Sequence, residues 1–269
     1  MFRQTEFFSE TGSSCTRYGI EAATASRSDS VDRAVSRAFC LLEVLASASE
    51  PLRLTEIAEL SGLQKSTAHR ILATLVELGY ARQEASGRYA ATLRAWEFGA
   101  RSAAQLPIKR IAAGFLHGLH RTIGETVSLT LLSGTDVLYL DKIIAPRPVR
   151  FRTRVGSRVP AVLTASGKAI LSQRPDGPDL VRRSAEQQGL DIAAVEAELD
   201  EARRRGYALS GYSPGVSSIG VAVGAGGAAA EAGLSVSAPS ERLDGESRDR
   251  VIEALLEAGA RMSEALARP

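Results

Sequence analysis

The chain contains 269 residues, of which 44% are hydrophobic and 24% are charged. This composition is ordinary for a globular protein and excludes a collagen-like, a fully disordered or a disulfide-scaffolded chain. The length fits two small domains better than one large domain. Lysine and arginine together number 33 and acidic residues 31, which leaves a net charge of +2. Binding of a nucleic acid or an anion must therefore arise from local clusters of charge.

The first thirty residues are polar, with charged or polar side chains every few positions. They lack the unbroken apolar core of a signal peptide, and we interpret residues 1–30 as a flexible tail. A later apolar stretch at 215–238 carries Glu231 and is a poor membrane span. The two cysteines, Cys15 and Cys40, have no spacing typical of a disulfide framework or a metal site. We expect a cytoplasmic protein with no membrane contact.

Three helical patterns follow the tail in close succession. Apolar residues recur at helical spacing over 31–48, a short second helix is predicted over TEIAEL, and a third over LQKSTAHRILATLVELGY. Two short helices joined by a turn that contains glycine, within a three-helix unit, are typical of a helix-turn-helix. Residues 80–91 then alternate about a second glycine-containing turn, which predicts a hairpin in the position of a wing.

The outer face of the predicted third helix carries hydroxyls, a histidine and cations, with no carboxylate before Glu77. Such side chains donate hydrogen bonds to phosphates and base edges. An ordinary solvated helix face remains the alternative, although such faces usually include acids. His69 has no identifiable catalytic partner, so we assign it to DNA contact. The candidate DNA-contact residues, which include one in the second helix and one in the wing, are Thr55, Lys65, Ser66, Thr67, His69, Arg70, Thr74 and Arg88.

The rest of the chain predicts a linker helix and a mixed second domain. The linker pattern begins at Leu93, ends before Pro107 and carries the bulky side chains Trp96 and Phe98, which are candidates for joining two chains. Helices and strands then follow without strict alternation, which indicates an α+β domain. The predicted divisions are a winged helix-turn-helix at 31–92, a linker helix at 93–106 and the second domain at 107–269.

A cationic stretch marks the second domain. Between Lys142 and Arg174 there are eight cations and no acid. Alternating arginines at 150, 152 and 154 predict a strand, followed by a loop at 156–160 and a helix at 161–172. Free amides at the start of that helix, at Ala165, Ser166 and Gly167, would hold a carboxylate. Simple helix capping, and a solvated arginine face, remain the alternatives.

Six segments in series resemble the IclR-type (isocitrate lyase regulator family) bacterial transcription regulators, and together they cover about residues 31–266. The helix-turn-helix resembles LTEIAELSGLQKSTAHRILATLVELGY, and the wing and linker resemble GRYAATLRAWEFG. The remaining blocks are GETVSLTLL, VGSRVPAVLTASGKAIL, RRRGYALSGYSPGVSSIGVAV and GLSVSAPSERL. The resemblance implies a winged helix-turn-helix DNA reader, a linker helix and a GAF-like antiparallel-sheet effector domain, assembled as a homodimer or a dimer of dimers.

The same resemblance implies a ligand pocket between the sheet and the segment from Val159 to Lys168. Two positions depart from the family, because Ser210 stands where an acid is frequent and Ser218 where a cysteine is common. Together with the cationic stretch, this predicts a small organic acid as effector, in a pocket with apolar walls. Carried over by position, the effector-binding candidates are Phe151, Val159, Ala165, Ser166, Ser210, Ser218, Ser235 and Ser237.

An enzyme acting on a small molecule in the second domain is the alternative function. The segment TASGKA is not a phosphate-binding loop, since Val162 replaces the first required glycine and Ala169 the final hydroxyl. His117 and His120 lack a third metal ligand. The implied pocket contains neither a carboxylate nor a histidine for acid–base chemistry. We therefore expect no catalytic residue, no metal and no cofactor.

Overall fold

The computed structural model of the protein describes residues 33–146, 153–224 and 230–268. The tail predicted at 1–30 and the pocket candidate Phe151 lie outside these residues. The chain divides into two compact units, one ending at Ala103 and the other beginning at Ala104. Among the helices described, none is both long enough and apolar enough to cross a membrane.

Four helices and a two-stranded hairpin form the described part of the first unit. In chain order these are α1 (Arg33–Ser47), α2 (Leu54–Ser61), α3 (Lys65–Glu77), β1 (Ala81–Gln83), β2 (Tyr89–Ala91) and α4 (Leu93–Ala104). The antiparallel strands pair Arg82 with Ala90. This is the order predicted for a helix-turn-helix, a wing and a linker helix.

The helices of the first unit pack around one apolar core. Leu41 of α1, Ile57 of α2 and Leu72 of α3 are fully buried in it, and Tyr89 attaches the wing to the same cluster. Glycine ends α2, because Gly62 adopts φ 69° and its amide reaches back to the helix. The left-handed conformation is one that glycine adopts without steric cost. The turn between α2 and α3 is therefore fixed by one residue.

The second unit contains five helices and a six-stranded sheet within its described residues. Its elements are α5 (Pro107–Ile123), β3 (Thr126–Ser133), β4 (Asp136–Ile143), β5 (Arg158–Pro160), a 3-10 turn (Ala161–Leu163), α6 (Ala165–Ser172), α7 (Gly177–Gln188), α8 (Ile192–Arg205), β6 (Ala208–Ser210), β7 (Val216–Val223), β8 (Ala232–Pro239), a second 3-10 turn (Ser240–Arg242) and α9 (Gly245–Ala267). The strand order is β5-β4-β3-β8-β7-β6, and every neighbouring pair is antiparallel.

The two faces of the sheet differ in composition because side chains alternate along each strand. One face is apolar and packs against α5 and α9, with Val127, Ile219 and Leu234 in the core. The other face of β3, β7 and β8 packs against α6 and carries only small or hydroxyl side chains. Its members are Thr126, Ser128, Thr130, Ser218, Gly220, Ala222, Gly233, Ser235 and Ser237. We call this set the small-residue face.

Three local predictions in the second unit need correction. Residues 158–160, predicted as part of a loop, form the edge strand β5 against β4. The strand predicted around the arginines does not continue through Thr153 and Arg154, and a turn follows at 155–156; the rest of that prediction lies outside the described residues. The short edge strand β6, which pairs Ser210 with Ser218, was not predicted. Each of these strands has three residues, too few for alternation to identify it.

Candidate nucleic-acid interface and ligand site

The third helix separates a buried face from an exposed one. Ala68, Ile71, Leu72 and Leu75 point into the core of the first unit. Of the candidate contacts on α3, Lys65, Ser66, His69, Arg70 and Thr74 are exposed and Thr67 is half-buried. Several hydrogen-bond donors therefore lie along one side of a helix whose other side is held rigidly, which is the arrangement that a recognition helix requires.

The two candidates outside α3 have different surroundings. Thr55 is exposed in the first turn of α2. The guanidinium of Arg88 donates from Nη1 to the carbonyl oxygen of Pro51 at 2.9 Å, and the same nitrogen lies 3.7 Å from Glu56 Oε2. Arg88 thus ties the wing to the segment before α2, and a DNA contact by this residue stays a prediction.

Large apolar side chains are exposed on α1 and α4. On α4, Leu93 is 74% exposed, Trp96 69% and Phe98 67%, and no residue of this helix is buried. On α1, Val35 and Phe39 are more than half exposed, one helical turn apart. Side chains of this size seldom remain in water at such density, so these helices present surfaces suited to a protein partner.

The amino end of α6 lies directly on the small-residue face. A Cβ on Gly220 would come 2.4 Å from the amide nitrogen of Ser166, and one on Gly233 would come 3.0 Å from Ser166 Cβ. Glycine at these two sheet positions therefore allows the helix to approach the strands. Residues far apart in the chain, in α6, β7 and β8, meet at this point.

The first turn of α6 offers two backbone donors where three were predicted. Thr164 caps the helix, and its Oγ1 accepts a hydrogen bond from the Gly167 amide at 3.0 Å. The prediction that Gly167 offers a free amide is therefore wrong. The amides of Ala165 and Ser166 have no backbone carbonyl partner in the described chain. Amides in the first turn of a helix have no carbonyl four residues earlier within the helix.

The hydroxyl groups at this site are unequally satisfied. Ser218 and Ser237 lie opposite each other on β7 and β8, and their Oγ atoms are 2.8 Å apart. Ser210 Oγ donates to the carbonyl oxygen of Leu163 at 2.6 Å. Ser166 Oγ is buried and has no hydrogen-bond partner within the described residues. A buried hydroxyl without a partner is costly, which points to a ligand that supplies the missing bond.

The remaining candidates define the limits of the site. Ser235 is buried on β8, next to Gly220 of β7 in the sheet. Val159 is half-buried in β5 and packs against the cluster around Val137, two strands from β8. The structure therefore brings Ala165, Ser166 and Ser235 to one end of α6, whereas Val159 lies toward the opposite edge of the sheet.

A cavity of about 580 Å³ opens beside the edge strand β6. Its walls include Ser210 and Ser218, together with Lys168, whose ammonium forms an ion pair with Glu198 of α8. The glycines and the hydroxyls of β3 escaped prediction because a strand residue becomes a site residue only through its register with other strands. The alternation of small side chains in GLSVSAP was the available signal.

Titratable clusters are scarce around this site. Within the described ranges, no group of three His, Cys, Asp or Glu side chains could hold a metal ion. The ring nitrogens Nδ1 of His117 and His120 contact the carbonyl oxygens of Ala113 and Glu125, both at 2.8 Å. The chemistry available at the end of α6 is that of hydrogen-bond donors and a helix dipole, which binds an anion and does not transform it.

A helix-turn-helix with a wing, followed by a separate α+β unit that offers a small-molecule site, defines a ligand-responsive DNA-binding regulator. Comparison with known proteins gives the same class. A model described as "IclR helix-turn-helix domain" matches residues 34–85, and one described as "Bacterial transcriptional regulator IclR C-terminal" matches residues 100–264. The chain belongs to the IclR family of bacterial transcriptional regulators.

Individual relatives agree over most of the chain. The regulator KdgR of Escherichia coli is 32% identical over 244 residues, which cover 87% of this chain and 91% of that protein. The solved structure of an IclR-type regulator from Alicyclobacillus acidocaldarius superposes with a TM-score of 0.76 at 27% identity, over 89% of this chain and 100% of the other. An IclR homologue from Microbacterium hydrocarbonoxydans, solved with 4-hydroxybenzoate, has a TM-score of 0.75 at 23% identity, over 87% and 98% of the two chains.

Proposed function

We propose that this regulator binds operator DNA through the exposed face of α3 and that a small organic acid, bound at the amino end of α6, changes its affinity for the operator. The observation that carries the proposal is the buried, unpartnered Ser166 hydroxyl beside two backbone amides without carbonyl partners. Amides at a helix amino end attract a carboxylate through hydrogen bonds and the helix dipole.

The DNA-contact role is proposed for the residues predicted on the first unit. Lys65 and Arg70 supply the positive charge for phosphates, and Arg70 can also reach a guanine edge. Ser66, Thr67, His69 and Thr74 add donors along the same face. Thr55 extends this face onto α2, and Arg88 contributes from the wing while it remains bonded to Pro51.

An acid fits the second unit better than a neutral ligand. The described lining offers donors from Ser166, Ser235 and Ser237 and no carboxylate to repel an anion. Val159, with Phe151 from the undescribed segment, would supply apolar walls. A relative of the same fold was solved with 4-hydroxybenzoate, which is itself a carboxylic acid. Ser210 and Ser218 would hydrogen bond to polar groups on the ligand body.

We propose that the working unit is a homodimer joined through α4 and α1, or a dimer of such dimers. One recognition helix reads one half-site, and two half-sites a helical turn apart require two copies. The exposed Leu93 and Trp96 on α4, with Phe39 on α1, offer the apolar surface that a second copy would cover. The protein acts as a cytoplasmic regulator without cofactor or catalytic step, as members of its family are not enzymes.

Titration calorimetry with a panel of acids and their matched amides tests this function. The amide keeps the shape of the acid and removes its charge, so an acid should bind at least about tenfold more tightly, which corresponds to ~1.4 kcal/mol. The bound acid should also change the affinity for fragments of the upstream region of the protein's own gene. Equal binding of acids and amides would move the anion site away from α6.

A further inference from the structure

A lysine lies on the small-residue face, in line with the end of α6. Across the sheet, Gly220 of β7 pairs with Ser235 of β8, Ser235 with Ser128 of β3, and Ser128 with Lys142 of β4. Residues paired across neighbouring strands point to the same face. One continuous row therefore runs from the glycine beneath Ser166 to Lys142.

The ammonium of Lys142 has defined contacts at the far end of this row. Its Nζ donates to the Thr153 carbonyl oxygen at 2.9 Å and to Thr153 Oγ1 at 2.7 Å. It also lies 5.8 Å from the centre of the Tyr139 ring. Burial lowers the pKa of Lys142 to about 8, so the group is still largely protonated at pH 7. An anion beside this ammonium would offset part of its lost hydration.

The row thus has two positive ends. At one end are the amides of Ala165 and Ser166 with the helix dipole, and at the other is the ammonium. The strands β8 and β4 are separated by one strand, which places the backbones of Ser235 and Lys142 about 10 Å apart at ~4.8 Å per strand. The flexible stem of the lysine shortens the gap between the two ends. The ligand that fits has an acid group at each end of a short carbon chain.

We propose that Lys142 is a specificity-determining residue of the effector site and that it selects a short dicarboxylate. The proposal rests on the proposed function, because it requires an acid at the amino end of α6. The first carboxylate is held by the Ala165 and Ser166 amides, and the hydroxyls of Ser128 and Ser235 lie along the chain between the ends. The second carboxylate pairs with Lys142.

The sequence alone did not single out this residue. Lys142 belongs to the eight-cation stretch, but its neighbours Ser128 and Ser235 are 14 and 93 residues away in the chain. A purely structural lysine that fastens Thr153 to β4 would explain the same contacts. The experiment must therefore separate affinity for the second charge from stability of the fold.

The test compares succinate, glutarate and adipate with their monoamides, by calorimetry at pH 7 on the full chain. Wild-type protein should bind at least one diacid about tenfold more tightly than its monoamide, as a charge-assisted hydrogen bond predicts. In Lys142→Met this ratio should fall below about twofold, while the affinity for the monoamide stays within about threefold of wild type. Lys142→Arg should keep most of the preference because it retains the charge.

Lys109→Met is the matched control. It removes the same charge from α5, which packs on the opposite face of the sheet, and it should leave the ratio unchanged. A diacid preference that persists in Lys142→Met, or a wild-type protein that binds both forms equally, would overturn the assignment. A structural lysine would instead lower the melting temperature without changing the ratio.

Acetylation of the wild-type protein gives a second result that does not depend on any variant. The chain has only four lysines, Lys65, Lys109, Lys142 and Lys168, so peptide mass spectrometry can follow each one. A diacid should slow acetylation of Lys142 several-fold, whereas its monoamide should not; equal protection by both would contradict the proposal. If no acid of either kind binds, the proposed function itself fails, and this outcome is distinct from binding without selection.

Discussion

The two units of this protein display their functional residues in opposite ways. In the first unit, the candidate contacts lie along one helix, and a single buried row, Ala68 to Leu75, fixes their direction. In the second unit, the site is formed where α6 meets β7 and β8, elements that are more than forty residues apart in the chain. A local surface tolerates substitution of one residue at a time, whereas a site between packed elements depends on the packing itself.

Substitution of Gly220 by alanine should produce the largest effect. The new Cβ would lie 2.4 Å from the Ser166 nitrogen, so α6 must move away from the sheet. We expect a loss of about 1–3 kcal/mol of stability in the second unit, as for other overpacked sites, and no measurable acid binding. Calorimetry and thermal unfolding measure both effects.

Gly211→Ala is the control for this substitution, since nothing lies within 4 Å of its new Cβ. It should behave like wild type in both measurements. DNA binding by the first unit should survive Gly220→Ala if the two units fold separately. Unchanged acid binding in Gly220→Ala would show that the ligand does not use this junction.

Removal of the Arg70 side chain should weaken operator binding at least about tenfold, because a good arginine contact contributes ~1–3 kcal/mol. The side chain is exposed and lies opposite the core row, so the melting temperature should not change. Fluorescence anisotropy with labelled operator gives the affinity. Arg121→Ala, which removes an exposed arginine from α5, is the control and should bind DNA as wild type does.

Trp96→Ala should raise the dissociation constant of the dimer by about tenfold or more, since large aromatic side chains at the centre of an interface contribute ~2 kcal/mol. Analytical ultracentrifugation over a range of concentrations gives this constant. The exposed Leu78 of the first unit, changed to alanine, serves as the comparison. A full-length wild-type protein that remains monomeric while it binds its operator tightly would contradict the dimer.

Ser166→Ala should give the smallest effect and the most informative one. Loss of an unpartnered buried hydroxyl should leave stability unchanged or raise it slightly, yet acid affinity should fall about fivefold, or ~1 kcal/mol. Ser172→Ala is the matched control in the same helix, where the hydroxyl already donates to Ala169 at 2.8 Å. It should lower stability and leave acid affinity unchanged. The opposite pattern would assign Ser166 a packing role.

The difference between the units also explains what could be predicted from the sequence. Helical spacing with glycine at Gly62 identified α1 to α3 and their exposed face, because helices and turns are encoded within a few residues. The hydroxyls at Ser235 and Ser237 were reached through family resemblance. Register placed Ser128 and Lys142 beside them, and register depends on pairing between distant strands.

Two errors in the second unit have physical causes. The Gly167 amide was expected to be free, but the Thr164 side chain reaches it first, since a threonine before a helix competes with any ligand for the first-turn donors. The edge strands β5 and β6 are defined by their partners β4 and β7. Neither a cap choice nor a three-residue strand can be determined from composition or periodicity.

The central claim is that the acid site and the DNA-contact surface are coupled in one chain, and a thermodynamic cycle tests it most directly. The affinity for operator should be measured with and without saturating acid, and the affinity for the acid with and without operator. Linkage requires the two ratios to be equal, and we expect a factor of about 5–150. In Ser166→Ala, weak acid affinity should accompany the same ratio. A ratio of one in wild-type protein that binds both ligands would contradict the account.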